Sequence, residues 1–471
     1  MTREQLLASV QHYFEGGGFE ADLGRRVAWR TESDLGAQSD ADALIGYLDR
    51  ELSPTLRAMG FDCSRHDNPV PSAGPLLLAR RIEDPALPTV LSYGHGDVVQ
   101  GQAPQWREGL SPWKLQIEGD RWYGRGTADN KGQHSINLAA LAHTLQAREQ
   151  KLGYNLTLLF EMGEETGSPG LQAFCEQHRQ ALQADVFLAS DGPRIGADHP
   201  TLFLGSRGAV NFSLRLDSRE RPYHSGNWGG VLANPATRLS HALASLVDAQ
   251  GRILVPGLRP PPMPARLRQA LAEVAIGGGA DDPALSDGWG EPGLSPAERL
   301  VGWNTLEVLA LGAGSAERPI NAIPPRAVAH CQLRFVVGTD WRNLAACVRQ
   351  HLDAHGFADV SVEVTMACGA TRLALDNPWI DWTLASMERS TGRPATLLPN
   401  LAGSLPNDLF ADLLGLPTLW VPHSYPACAQ HAPNEHLLAP VAREGLALMA
   451  GLFWDLGEAG SAPWQAGRLS A

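Results

Sequence analysis

Five short clusters along the chain could bind a cation or move a proton. His95 and Asp97 stand two residues apart, so both side chains share a face if the chain stays extended there. Imidazole is a common metal ligand and a nearby carboxylate commonly fixes its tautomer, although a His in a Gly-rich turn can equally serve the backbone. Asp129 lies in the glycine-rich run Tyr123-Gly124-Arg125-Gly126-Thr127-Ala128-Asp129-Asn130-Lys131-Gly132, ahead of a predicted helix over 133–146. A helix start favours its ionised form, whether it serves as a ligand or as an ordinary first-turn carboxylate. The spacing of that run fits neither a P-loop nor a dinucleotide fingerprint. Glu164 and Glu165 are adjacent acids that would repel in a cleft unless something positive lay between them; on a solvated turn they would be unremarkable. Asp191 follows another apolar run, and His431 opens His431-Ala432-Pro433-Asn434-Glu435-His436, where Pro433 stiffens a loop.

Together these clusters supply two His and several carboxylates with no Cys, a donor set for divalent cations. Two such ions would bring four positive charges against three negative ones from Asp129, Asp191 and Glu165, with His95 and His431 neutral; a bridging hydroxide completes neutrality. Imidazole and carboxylate ligands with open positions suit Zn2+, and Mn2+ or Co2+ would fit as well.

The elements that must position these residues are short apolar runs. Those at 89–93, 156–160, 185–189 and 418–421 read as strands, and each runs into one of the polar clusters. Alternation with amphipathic helical stretches predicts an α/β catalytic domain, a mixed sheet flanked by helices, whose strand ends converge on one crevice. Within 208–371 the pattern changes to a strand (210–216), a helix (235–247), a strand (327–336), a helix (340–355) and a strand (360–365). This predicts a smaller α+β sandwich inserted between two parts of the catalytic domain, 1–207 and 372–471. Pro260-Pro261-Pro262 and Gly277-Gly278-Gly279 mark an irregular, partly helical excursion over 252–296.

Composition sets the outer limits. The 471 residues are 44% hydrophobic and 19% charged, which excludes disorder, collagen and coiled coil and allows a sizeable core. Lys and Arg total 38 against 51 for Asp and Glu, a net charge of -13 with no basic run, so nucleic acid is excluded as a partner. The six cysteines have no paired spacing, as expected of reduced core thiols in the cytoplasm. Thr2 with Gln5 predicts a capped helix at the amino end where a secretory signal would be basic and then apolar. Apolar stretches such as 446–454 are too short to cross a bilayer, so no membrane partner is expected.

In this order the motifs resemble the zinc-dependent exopeptidase family of carnosinase-type dipeptidases, glutamate carboxypeptidase, aminoacylase and the acetylornithine and succinyl-diaminopimelate deacylases. The resemblance spans nearly the whole chain. It implies that His95 and Asp191 hold one metal, Glu165 and His431 the other, and Asp129 bridges them. It also implies that Asp97 orients His95 and that Glu164 takes a proton from a water shared by the cations and passes it to the leaving amine. His224, in Tyr223-His224-Ser225-Gly226-Asn227-Trp228-Gly229-Gly230, looks like the family's lid histidine, which reaches the neighbouring subunit's active site to steady an oxyanion. A homodimer is thereby implied; a surface His in a Gly-rich turn is the plain alternative. Arg334, after Asn321-Ala322-Ile323-Pro324, resembles the lid arginine that grips a substrate's terminal carboxylate, a task suited to the guanidinium fork, with a rim salt bridge as the alternative. Asn304, Gly403 and Ser404 match substrate-lining positions. Many relatives carry Arg-Glu-Gly-Gly before that Ser or Thr, where this chain has Asn400-Leu401-Ala402-Gly403, which leaves the substrate's outer end open. In this family the position of Asp191 tends to be Asp in dipeptidases and Glu in deacylases. The expectation is therefore a dinuclear metallopeptidase acting on dipeptides or small peptides, with an N-acyl amino acid deacylase on the same site as the alternative. A catalytically silent relative would lack a ligand or the base, and all are present.

Overall fold

Large apolar side chains that alternate between two faces build the main sheet of the computed structural model, which describes residues 1–33, 41–71, 73–278 and 282–464. Its eight strands lie in the order Asp62–His66, Leu76–Arg81, Asn155–Glu161, Thr89–His95, Val186–Ala189, Thr418–Trp420, Thr201–Phe203 and Thr396–Leu398. The four central strands, Asn155–Glu161 through Thr418–Trp420, are mutually parallel, so their carboxyl ends share one edge. Antiparallel pairing of Leu76–Arg81 on one side and of Trp420 with Phe203 on the other makes the sheet mixed.

Both faces are covered. Along Asn155–Glu161, Leu156, Leu158 and Phe160 join one apolar layer and Leu159 joins the other, as a period of two requires. The first layer receives Leu6, Val10 and Phe14 from helix Arg3–Glu15, Ile136 and Leu141 from Lys131–Ala147, and Leu446 and Met449 from Ala439–Leu456. The second receives Leu171 and Phe174 from helix Leu171–Gln177, with Phe410. Burial on both faces is why the strands read as continuous apolar runs. Each fully buried Leu or Phe contributes about 1.5–3 kcal/mol of transfer free energy. The expected capping box at Thr2 and Gln5 opens the first helix.

Helix Lys131–Ala147 is buried almost all round, packed between the sheet and Ala439–Leu456. Its start lies so close to the preceding loop that a Cβ on Gly132 would stand 1.9 Å from the Thr127 carbonyl oxygen, so only glycine lets the Asp129 loop fold onto the first turn. The helix begins two residues earlier than the pattern predicts.

A second, four-stranded antiparallel sheet has the order Thr305–Gly312, Arg326–Phe335, Gly208–Asp217, Ser361–Cys368. Val210, Phe212, Leu214 and Leu216 pack with Leu239 and Leu246 of helix Pro235–Leu246 and with Val348 and Leu352 of helix Leu344–Ala354, a core separate from the main one. The fold is thus a mixed sheet flanked by helices with a smaller α+β unit. The helix expected from 340 begins instead with a 3-10 turn, Trp341–Asn343, where Asn343 Nδ2 donates to Asp340. The Pro-rich excursion carries helix Ala265–Leu271, and its end starts helix Pro296–Gly302; the two share a small core of Leu267, Leu271, Ala297 and Val301. Gly279 lies outside the described residues. All six cysteines are free, and Cys347 and Cys368 are only half-buried, which departs from the reading of every thiol as core filler. No helix among the described residues is long and apolar enough to cross a membrane.

Candidate metal centre and active site

The parallel strands bring the polar clusters to one edge. His95 is the last residue of Thr89–His95, not a residue beyond it, and is fully buried. Asn155–Glu161 leads through Met162 and Gly163 into the short 3-10 turn Glu164–Thr166, and Val186–Ala189 leads into Asp191. Thr418–Trp420 feeds the loop that carries His431, and Asp129 comes from the loop ahead of Lys131–Ala147.

Asp129 stands at the centre. Its Oδ1 lies 2.9 Å from His95 Nε2 and its Oδ2 lies 3.1 Å from His431 Nε2. His95 Nε2 is also 3.6 Å from Asp191 Oδ2 and 4.0 Å from Glu164 Oε2, while His431 Nε2 is 2.9 Å from Glu165 Oε2. Two sets of metal-capable atoms result, His95 with Asp129 and Asp191, and Asp129 with Glu165 and His431; within each set the atoms lie within 4.8 Å of one another. They share Asp129, one oxygen toward each imidazole. His95 Nδ1 is 3.1 Å from the Asp97 backbone oxygen and 3.3 Å from Asp97 Oδ1, so Nε2 is the ring nitrogen turned toward Asp129 and Asp191. Beside His95, the Asp97 carboxylate also accepts from Ser33 Oγ and from the backbone N–H groups of Glu164 and Glu165.

The residues fit a pair of cations. Asp191 Oδ1 accepts from the Gly192 N–H, but Oδ2 is buried with no hydrogen-bond partner among the described residues. An orphaned carboxylate oxygen is costly in an apolar interior, and one aimed at an imidazole nitrogen and a second carboxylate is a ligand position in search of a cation. The electrostatics of the cluster point the same way. Burial and the Asp129 charge push Asp191 up to about 6 and Glu165 up to about 7, and burial with Asp191 and Glu165 nearby raises Glu164 well above the usual carboxylate range. Hydrogen bonds to Asp129 and Glu165 push His431 up to about 11, and despite its burial those to Asp129 and Asp97 raise His95. Without cations the cluster keeps its charge balance only by holding protons; divalent ions would replace them. Nitrogen and oxygen donors without thiolate suit zinc, manganese or cobalt.

A cavity of about 480 Å³ opens beside the cluster, lined by Glu164, Glu165 and His431 on one side and by Arg334, Cys368 and Ser404 on the other. Arg334 comes from the smaller sheet; its Nε donates to Gln332 and its Nη1 to Ser404 Oγ, each at 2.8 Å. It has no carboxylate partner among the described residues, which removes the rim salt bridge as an account of it. Gly403 sits beside Ser404, facing Leu401. A cavity of about 530 Å³ elsewhere, near His199 and Glu273, has no metal-capable set among its described residues.

Two residues expected at the site stand apart from it. His224 is exposed on the short pairing of Tyr223–His224 with Ala322–Ile323, its Nδ1 accepting from the Gly226 N–H. Asn304 is buried inside the smaller unit, where its amide donates to the Leu258 backbone oxygen and the Thr339 hydroxyl and accepts from the Val336 N–H, so its polar atoms are spent on local partners. Three residues beside the cluster were not singled out from the sequence: Gln430, whose amide donates to Asp129 Oδ2, Ser33, and Glu435, whose carboxylate grips the Asp129 loop. Glu435 stands inside the His431 motif, but nothing in the motif says what it binds.

Comparison with known proteins agrees with this geometry. The chain is 29% identical over 327 residues to a cysteinylglycine-S-conjugate dipeptidase of Corynebacterium striatum, a match covering 67% of this chain and 68% of that one. It is 35% identical over 193 residues to a Beta-Ala-His dipeptidase of Mus musculus, covering 40% of this chain and only 38% of the mouse protein. In fold it is similar to human carnosine dipeptidase 1, with a TM-score of 0.80 and 22% identity over 97% of this chain and 100% of that one. The di-peptidase Dug1p of Saccharomyces cerevisiae also matches with a TM-score of 0.80, at 24% identity over 98% of this chain and 100% of that one. The model of peptidase family M20/M25/M40 matches residues 91–455, a span that includes His95, Asp129, Glu164, Glu165, Asp191 and His431 and the strands that deliver them. The chain belongs to peptidase family M20/M25/M40.

Proposed function

We propose that the protein is a dinuclear metal-dependent dipeptidase that hydrolyses the amide bond of dipeptides or similarly small peptides. The observation that carries this reading is the pair of ligand sets joined through Asp129, with Glu164 beside them on a cavity lined also by Arg334, which has no carboxylate partner among the described residues. His95 and Asp191 would hold one cation, Glu165 and His431 the other, with Asp129 between them; Zn2+ is the first choice. When bound, two such ions supply Lewis acidity and a water acidic enough to be deprotonated near neutral pH.

The rest is the work of the chain. Glu164 accepts the proton as the water oxygen bonds to the amide carbon, then delivers it to the leaving nitrogen as the C–N bond breaks. Its burial suits the second half of that duty, because a carboxyl with a raised pKa keeps a proton long enough to pass it on. Asp97 holds the peptide groups of Glu164 and Glu165 in place. The Arg334 guanidinium takes the substrate's terminal carboxylate, a partner it lacks among the described residues. A cavity of about 480 Å³ has room for a dipeptide. The relatives named as dipeptidases favour this substrate class.

The same reading divides the chain into a catalytic domain of 1–207 and 372–471 and a lid and dimerisation domain of 208–371, in a soluble cytoplasmic homodimer. Val308, Leu309 and Leu311 are exposed on Thr305–Gly312, an edge strand of the smaller sheet, which favours a second copy against that edge. Incubating the zinc- or manganese-loaded protein with unmodified dipeptides and with N-acyl amino acids tests the substrate class. Turnover of dipeptides is expected; turnover confined to acylated amino acids would assign a deacylase instead.

A further inference from the structure

The two loops that carry Asp129 and His431 are tied together by one buried side chain. Strand Arg121–Tyr123 pairs with His436–Leu438, and from this pairing the Asp129 loop departs at Gly124 while the His431 loop arrives at Glu435. Glu435 therefore stands at the fork, with 1% of its surface exposed. Its Oε1 accepts from the N–H groups of Gly126, Ala128 and Asp129 at 3.1, 2.9 and 3.1 Å. Its Oε2 accepts from the Gly126 N–H at 3.0 Å and from Arg125 Nη1 at 2.8 Å, while the Glu435 carbonyl accepts from the Gly124 N–H. The Asp129 peptide is thus fixed by a carboxylate from the loop that also presents His431.

That loop needs an anchor. Ala429, His431 and Asn434 all adopt left-handed backbone, with φ of +57°, +60° and +66°. Such conformations in residues other than glycine persist only where the surroundings over-determine them. Asp129 belongs to both ligand sets, so a shift of its backbone moves an oxygen away from each imidazole at once.

We propose that Glu435 is a positioning residue that sets the spacing of the two cation sites by clamping the Asp129 loop to the His431 loop. It touches neither substrate nor cation; it acts through the Asp129 backbone. This rests on the two-cation reading above. In Glu435→Gln one oxygen becomes an amide that cannot accept from the facing N–H groups, and the counter-charge to Arg125 disappears. Outer partners of metal ligands typically change metal affinity 10–100-fold.

The test is metal binding by chelator-stripped protein, titrated with Zn2+ or Mn2+ by calorimetry and checked by metal analysis after dialysis. Wild type is expected to bind two equivalents. Glu435→Gln, folded by circular dichroism at the measuring temperature, is expected to bind both about 10–100-fold more weakly. Asp455→Asn, a buried carboxylate distant from the loops, should lose stability but keep wild-type metal affinity. Should Glu435→Gln not fold, Glu435→Asp, which keeps the charge but draws it back by one methylene, replaces it with the same expectation. Folded variants with wild-type affinity would overturn the clamp, as would an equal loss in Asp455→Asn, whereas wild-type protein that binds no cation would overturn the two-cation reading itself.

Discussion

In the proposed reaction Glu164 is both acceptor and donor of a proton, and its surroundings pull it both ways: burial and the Asp191 charge favour the protonated form, while His95 at 4.0 Å favours the ionised one. Replacing it by Gln keeps the volume and removes the proton traffic. Glu164→Gln should keep its metal content and lose about 10²–10⁴-fold in kcat, the usual share of a general base. Unchanged kcat, measured beside metal analysis, would remove it from that role. Such residues were legible in the sequence because His95, the Glu164–Glu165 pair and Asp191 follow apolar runs while Asp129 and His431 sit in a Gly-rich and a Pro-stiffened loop, and all of them converge in the structure. The roles of Glu435 and Ser33 were not legible. All but one of the donors to Glu435, the Arg125 guanidinium, are peptide N–H groups more than 300 positions away, which every residue type but proline offers, and Ser33 is one hydroxyl among many.

At the scale of elements, four parallel strands do the positioning, and what fixes them in turn is the helical layer behind. Asp455 near the end of Ala439–Leu456 accepts from Arg3 of the first helix and from Ser386 and Arg389 of Pro378–Thr391, joining three helices. Burial alone would raise its pKa, but these hydrogen bonds outweigh it and hold the carboxyl below the usual range. A depressed carboxylate adds stability that is complete above its unfolded pKa, about 3.9, and is lost as pH falls through the lower folded value. Asp455→Asn should therefore be less stable than wild type at pH 7, by about 1.5–3 kcal/mol, the worth of hydrogen bonds to a charged group. In urea unfolding that deficit should shrink as the pH drops below about 4. A deficit independent of pH would assign the loss to packing. The strands at 89–93, 156–160, 185–189 and 418–421 were readable from their apolar runs and polar ends. Their order was not: Thr418–Trp420 enters between Val186–Ala189 and Thr201–Phe203, a pairing across more than 200 residues that no local pattern encodes. The outer strand, Asp62–His66, escaped because with a single buried residue it lacks an apolar run; Leu76–Arg81 has one, Leu76 to Ala79, but leads into no polar cluster of the site.

For the whole molecule the question is what completes the cavity. Arg334 reaches it from the smaller sheet of the same chain, whereas His224 is exposed and away from it, the placement expected of a group that serves a neighbouring copy. If His224 acts in trans, His224→Ala and Glu164→Gln homodimers are each impaired, but mixing them after exchange of subunits should restore turnover, because one site of each mixed dimer receives an intact His224 beside an intact Glu164. No recovery in verified mixed dimers would overturn action in trans. The identity of such a partner residue could be read only by resemblance, since a surface His in a Gly-rich turn carries no local sign of its target. The central claim, that two cations held around Asp129 make this a peptide hydrolase, is tested most directly by stepwise reconstitution. Stripped protein is given increasing equivalents of Zn2+ while hydrolysis of an unmodified dipeptide is followed. The account predicts no turnover at zero equivalents and a plateau at two per chain; full turnover in the stripped protein would contradict it.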